Sequence, residues 1–513
     1  MTTTATPPRR PGTVTVGHDG FPQLLRAEWT KLRTVRRWGL TLLAGVLVTV
    51  LISLFSASSS GVEIAGGGSP APTGPGGISV RDDFTFVHRT LPADGSITAR
   101  VTGPTGVSPD RAPDWAKAGV IVKENTESTS DYAALMVTPG HGVRFQHDFT
   151  RDAAGGAASA DEPRWLRLTR TGGTVTAYTS SDGRGWEKTG TSRLDRSTGA
   201  VPVGLFVASP DVESTKREFG NVSVSGGPSR STARFDKVTV KGAKGGEEWR
   251  RTDVGQAGGD QASRDQGELR RSGPGGGTFT ITGSGDIAPG APMQPDLVAT
   301  ALNGSQLGLI LIAALGVLFI TAEYRRGMIL TTFTASPRRG RVLVAKAVVV
   351  GTVAFAAGLV ASVASFLLSM PVLRANGHKP PRFPEFSLAD GPALRAVLGT
   401  AALLALIAVL ALALGALLRS TAAAITTVVV VIVLPLILVS VLPLGLSQWL
   451  QRLTPVAGFA IQETTPRYDQ VASLCLPEDG CYPQGAWTGF ATLAAYAVVL
   501  LAVAVWRIRK RDA

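Results

Sequence analysis

Two histidines, His141 and His147, share a turn-rich stretch with Gln146 and Asp148, and these are residue types that could ligate a metal. A single acid beside two widely spaced imidazoles gives an incomplete ligand set, so a solvated turn is the preferred reading. No Ser/His/Asp triad or carboxylate pair has a spacing suited to hydrolysis, and a catalytic role finds no support. The only two cysteines are Cys475 and Cys481. The Leu-Pro-Glu-Asp-Gly between them is rich in turn formers, so their ends can approach as a disulfide requires, whereas C-x-x-C spacing and neighbouring His are lacking. Three indoles, Trp115, Trp165 and Trp186, could stack on a sugar ring, although core or hairpin packing is the commoner use of such residues. No G-x-x-x-x-G-K-[ST] occurs, so the chain lacks the usual cradle for ATP phosphates.

The elements that must position these residues are dominated by apolar helices. Trp38–Phe55, Leu297–Ile320, Val342–Met370, Ala396–Leu418, Thr421–Leu444 and Trp487–Trp506 are long apolar runs. Crossing a hydrocarbon core takes roughly 20 helical residues, so the pattern predicts a polytopic α-helical membrane protein with six transmembrane helices. Lys346 lies one turn into the third run and is expected to carry its ammonium back to the interface. No carboxylate or His falls inside a run, which argues against a proton relay. Ala354, Gly358 and Ser362 recur at four-residue spacing beside Ala357, Ala361, Ser365 and Ser369, which suits close helix packing. Pro435 should kink the fifth run.

Basic residues flank these runs unevenly. Arg26, Lys31, Arg33, Arg36 and Arg37 precede the first, Arg325, Arg326, Arg338, Arg339 and Arg341 lie between the second and third, and Arg507, Arg509, Lys510 and Arg511 follow the last. The positive-inside rule then predicts a cell-membrane protein with both termini cytoplasmic and residues 56–296 outside, the first run serving as an uncleaved signal anchor. The formal charge of +13 is accounted for by topology and anionic lipid, so no nucleic-acid partner is expected. Within the N-terminal segment 1–37, Pro22 opens a helix on which Leu25, Trp29 and Leu32 recur as an amphipathic, interfacial face. Between the second and third runs, Tyr324, Met328, Ile329 and Phe333 can share one side of a short helix among charges, which reads equally as a docking knob or as a solvated basic loop.

The polar insertion opens with a Gly/Ser/Pro tether over 56–79. From 80 to 240, short β-type runs such as Ala118–Val122, Ala133–Val137, Trp165–Thr169, Val175–Tyr178 and Val203–Val207 alternate with turns, including Gly172-Gly173 and Asp182-Gly183. This pattern predicts a large inserted all-β sandwich ectodomain. The Gly-rich charged stretch 241–296 is expected to be a loose linker, with Thr278–Thr282 as a possible added strand.

The segment Trp115–Gly119, with Pro163–Arg170 and Thr176–Gly183 leading into Trp186, resembles concanavalin A/laminin-G-like sandwiches, which implies a module for glycan or cell-envelope material. Leu24–Val35, Phe319–Met328 and Ala335–Arg341 resemble permease subunits of the ABC-2 type transporter family, and Trp449–Phe459 is similar to that family's amphipathic element before the last helix. The resemblance implies that the loop after the second span is a coupling helix docking on a separate ATPase subunit. It makes Glu323, Tyr324, Arg325, Arg326, Met328 and Phe333 contact candidates. It also implies a second permease copy or homologue, and no cofactor on this chain, with ATP and Mg carried by the partner. Export is the expected activity; a membrane-anchored receptor or adhesin binding glycan is the alternative. The large insertion departs from relatives that have only a short loop there.

Overall fold

A computed structural model of the chain describes residues 20–61, 72–74, 77–92, 94–194, 199–218, 221–243, 248–255, 268–272, 277–290, 295–325, 339–380, 383–471, 475 and 480–510. Among the described residues, helix α1 (Phe21–Thr34) is followed by six helical segments long and apolar enough to cross a membrane. These are α2 (Arg36–Ser59), α4 (Ser305–Arg325), α5 (Arg339–Ala375), α6 (Gly391–Leu418), Thr421–Val441 and α10 (Ala486–Lys510). Helix α6 lies at the centre, with most of its Leu and Ala side chains buried against α4, α5 and α10. Small residues permit this closeness. A Cβ at Gly316 would strike the Ala408 carbonyl, and one at Gly358 would lie 3.1 Å from Ala401 Cα. Ser362 Oγ also donates to the Val397 carbonyl at 3.1 Å, so the 354/358/362 stripe packs within the chain.

The second apolar run is not one helix. Asp296 caps the short α3 (Leu297–Ala301), the chain turns at Asn303-Gly304, and the long helix begins at Ser305. The break follows from packing, since Gly304 lies directly on the Thr49 carbonyl of α2 and donates its N–H to Ser53 Oγ at 3.1 Å. The fifth span is also divided, into α7 (Thr421–Val428), a π-helical turn Val429–Val433 and α8 (Leu434–Val441). Pro435 sits at the start of α8, where the wider turn before it accommodates the missing amide donor. The amphipathic α9 (Leu444–Leu453) and a buried 3-10 segment, Pro455–Gln462, then lead toward α10.

The insertion forms a two-layer β domain. Its first sheet runs β14 (Arg250–Val254), β1 (Val80–Leu91), β10 (Val201–Ala208), β3 (Lys117–Lys123), β4 (Tyr132–Thr138), β5 (Gly142–His147) and β6 (Arg151–Ala154), with β17 (Asp286–Pro289) also paired to β1. The second runs β15 (Glu268–Ser272), β16 (Thr278–Gly283), β13 (Arg230–Lys241), β2 (Gly95–Ser108), β7 (Arg164–Thr171), β8 (Thr174–Ser180) and β9 (Glu187–Arg193). A separate hairpin joins β11 (Val212–Glu218) to β12 (Asn221–Gly227). The five strands expected from sequence lie within β3, β4, β7, β8 and β10. Alternate residues such as Val120, Leu135, Leu166, Leu168 and Leu205 fill the core between the layers.

The expectation of a loose linker over 241–296 is corrected for its described residues. β14 pairs with β1, β15 with β16, and β17 with β1. Charged sequence is compatible with β14 and β15 because both are edge strands, while β16 sends Phe279 and Ile281 into the core.

The first sheet is also buried on its outward face, around Phe84, Phe86, Tyr132, Met136, Phe149 and Phe206. Two lysines point into that face and are neutralised there. Lys117 Nζ meets Asp286 Oδ1, and Lys123 Nζ meets Asp82 Oδ2, each at 2.6 Å. Burial raises the Asp82 pKa and lowers that of Lys123. Gly204 in β10 lies against the Val87 carbonyl with no room for a Cβ. Gly204→Ala should therefore cost about 2 kcal/mol by forcing β1 and β10 apart. Thermal unfolding followed by β-sheet circular dichroism measures this, and an unchanged midpoint refutes it.

Candidate functional site

At the bundle end that carries α1, four charges meet, three of them buried. Lys346 on α5 is only 1% exposed, and its Nζ reaches Glu28 Oε2 of α1 and Glu323 Oε1 of α4, each at 2.6 Å. Lys31 Nζ completes the group at 2.9 Å from Glu28 Oε1 and 3.1 Å from Glu323 Oε1. The Lys346 ammonium also stands 4.9 Å from the centroid of Phe319, whose ring meets Trp38 edge-on at 4.8 Å. The expectation that Lys346 snorkels to an interface is thus overturned. Two carboxylates converge on its ammonium, so the charge is balanced where it sits and gains nothing by leaving. Burial opposes the charge on Lys31, but Glu28 and Glu323 together outweigh it and hold the ammonium above its ordinary pKa.

Helical periodicity explains the missed acid. Leu25, Glu28 and Leu32 share the face of α1 turned toward the bundle, with Glu28 2% exposed, whereas Trp29 is 49% exposed on the flank. An apolar-stripe reading selects Trp29 and passes over Glu28, although Glu28 is the residue that ties α1 to α5 through Lys346, while Lys31 ties it to Glu323 of α4. Its one available signal was an acid on the inward side of an otherwise basic helix.

The candidate contacts Glu323, Tyr324 and Arg325 end α4. Glu323 turns inward to the ion group; Tyr324 is partly buried with the Arg419 guanidinium 5.5 Å from its ring centroid; Arg325 is exposed. Arg326, Met328 and Phe333 lie outside the described residues. The segment 326–338 therefore springs from two anchored roots. One is the end of α4, held by Glu323; the other is the start of α5, held two turns on by Lys346. Thr321 and Thr421 add a hydroxyl pair at 2.9 Å, and Arg507 Nη1 donates to the Leu417 carbonyl at 3.2 Å. Glu323 and Lys346, on the helices that flank this segment, are thus both joined to α1 through Glu28 and Lys31.

The opposite bundle end meets the β domain. The Asp296 carboxylate accepts from the N–H groups of Val298, Ala299, Thr464 and Thr465 and from both threonine hydroxyls. Next to it, Glu463 pairs with Arg467, whose Nε and Nη2 lie 2.7 and 2.6 Å from Oε1. Burial outweighs that partner and lifts the Glu463 pKa to about 7. Gln462 Nε2 bridges Ser305 Oγ and Thr400 Oγ1, at 2.9 and 3.0 Å. Gln470 Nε2 donates to the Phe149 carbonyl of the β domain at 3.2 Å. Cys475 and Cys481 are joined as a disulfide, Cα atoms 5.1 Å apart.

The remaining candidates are dispersed over the β domain. His141 stacks on Trp115 at 3.8 Å, and His147 Nδ1 lies 2.8 Å from Asp148 Oδ2. Gln146 Nε2 bonds Asp152 Oδ1 at 3.1 Å instead of joining either imidazole. No group of three His, Cys, Asp or Glu among the described residues is placed to hold a metal. Trp165 and Trp186, by contrast, are partly exposed and sit together on the outer side of the second sheet, with Arg167 packed 3.7 Å over the Trp186 ring.

No family description matches the chain, and no curated protein matches it. Among solved structures, the chain is similar over 22% of its length to a mutant of the GH43 protein BlXynB from Bacillus licheniformis, at 15% identity and TM-score 0.17, spanning only 24% of that protein. A functionally unknown protein of Saccharomyces cerevisiae aligns over 31% of this chain and 74% of its own, at 14% identity and TM-score 0.19. SCP-B, an Eqolisin-family peptidase solved with the tripeptide Ala-Ile-His, aligns over 39% and 98%, at 12% identity and TM-score 0.25.

Proposed function

We propose that this chain is the permease subunit of an ABC-2 type ATP-binding cassette exporter, with the α1 end of the bundle in the cytoplasm and the β domain outside. What supports this most is the ion group at Lys346, because it clamps both roots of segment 326–338 to a separate amphipathic helix. An anchor needs no such linkage, whereas a gate moved from outside itself does. The sequence carries no phosphate-cradling loop, so the energy comes from a partner ATPase that binds ATP and Mg. Arg326, Met328 and Phe333, with the exposed Arg325, form the docking surface. Two permease copies, or one copy and a homologue, complete the pathway.

Purification in mild detergent from the native host tests the proposal. A stoichiometric ATPase should accompany the protein and be lost when Met328 and Phe333 are both changed to Asp. Since both native cysteines are joined, Thr331→Cys gives a single reactive thiol. Labelling of that thiol by an impermeant reagent on intact cells would place the segment outside and end the permease reading.

A further inference from the structure

The outer side of the second sheet holds an open cavity of about 810 Å³, lined by Thr98, Trp165, Arg167, Asp236, Lys237 and Lys241. It opens where β13 departs from regular pairing with β2, the register shifting between Asp236 and Thr239. Lys237 takes a left-handed φ of 52° in that bulge. A non-glycine residue held there is strained, and bulges commonly re-aim a side chain toward a ligand. Here the bulge brings Lys237 to the cavity wall.

The lining combines one aromatic face with cations. Gly183 packs on the Trp165 ring so closely that a Cβ there would lie 2.7 Å from the indole, and the same Trp165 lines the cavity. Arg167 is held in place by stacking on Trp186 and by its Nε donating to Thr98 Oγ1 at 3.1 Å. Asp236, the one acid in the lining, is neutralised by Arg100 through contacts of 2.6 and 2.8 Å. Among the described residues no carboxylate pairs with Arg167, Lys237 or Lys241. The cavity therefore presents three uncompensated cations around an indole, with hydroxyls from Thr98, Thr239 and Thr278 at its rim.

Its direction is set by the other layer. The first sheet is the one that meets the bundle, through Gln470 and the Phe149 carbonyl and through β17, which precedes α3. The cavity opens on the far layer, away from the helices and from any lipid around them.

We propose that this cavity binds an anionic glycan, with a pyranose ring stacked on Trp165 and its carboxylate or phosphate held by Arg167, Lys237 and Lys241. An indole face suits the C–H face of a sugar ring, and clustered cations with hydroxyls suit an acidic substituent. The site does not depend on the transport reading.

Titration of Trp fluorescence in the full-length protein in detergent, using tetragalacturonate, a phosphomannan fragment, neutral galactotetraose and polyglutamate, tests it. At least one acidic oligomer should quench, with affinity falling as salt rises, and the stronger of the two identifies the anion. The Lys237→Gly/Lys241→Ala double variant should bind about tenfold more weakly. Both positions are exposed and glycine suits the backbone at 237, so the fold is retained. Trp165→Ala should abolish the signal. Equal binding of the neutral oligomer, equal binding of polyglutamate, or an unchanged affinity in the double variant would each overturn the assignment.

Discussion

Replacing Lys346 with methionine is expected to destabilise the protein by about 3–5 kcal/mol, because it removes the cation shared by two buried carboxylates. Methionine fills most of the vacated space, so the loss is chiefly electrostatic. Lys31 still contacts both acids, but it is 42% exposed and cannot replace a charge positioned between them. One carboxyl must then take up a proton or pull α1 off the bundle. A lowered melting temperature in detergent, with faster tryptic cleavage at Lys31 and Arg33, measures the effect. The combined Glu28→Gln/Lys346→Met/Glu323→Gln variant should recover most of the stability, since no buried charge is left without a partner and the half-exposed Lys31 keeps its ammonium in solvent. Under the transporter reading it should also hydrolyse ATP with its partner while failing to transport. If the single variant melts like the parent protein, the ion group does not hold α1.

Asp296→Ala should cost a similar amount, about 3–5 kcal/mol, at the other end of the bundle. It removes the cap of α3 and leaves the amides and hydroxyls of Thr464 and Thr465 without their acceptor. Asp296→Asn, which keeps one carbonyl oxygen, should cost less.

The asparagine variant also has a pH signature. Glu463 titrates at about 7 when folded against an ordinary 4.5, and the Asp296 charge is among the causes, after burial. Between those values the native state binds more protons than the unfolded one, so stability falls as pH rises from about 4.5 to about 7. Removing the Asp296 charge lowers the folded pKa, which makes that decline shallower and ends it at lower pH. Melting temperatures from pH 4 to 8 measure the difference; identical slopes in parent and variant would show that the two acids do not interact.

Much of the architecture was legible along the chain. The six apolar runs and the five strongest strands follow from residue type and period alone, because burial in each case repeats on a short, local spacing. The strand expected at Thr278–Thr282 is β16, whereas β14 and β15 were obscured by charge. Arg250-Arg251 and Arg270-Arg271 look like tether sequence until β14 and β15 are seen at sheet edges, where such residues face solvent. The apolar pattern likewise spanned the break at Gly304, whose cause is the neighbouring helix α2.

The sequence by itself determined the six apolar stretches, the strongest strands, and that no G-x-x-x-x-G-K-[ST] motif occurs. Those properties depend on neighbours within a few residues. Tertiary structure alone decided that Glu28, Lys31, Glu323 and Lys346, drawn from three helices up to 318 residues apart, form one neutral group, and that Trp165 lines a cationic cavity. A buried charge is tolerated only beside its counter-charge, and that proximity is a property of the packed helices that no local spacing records.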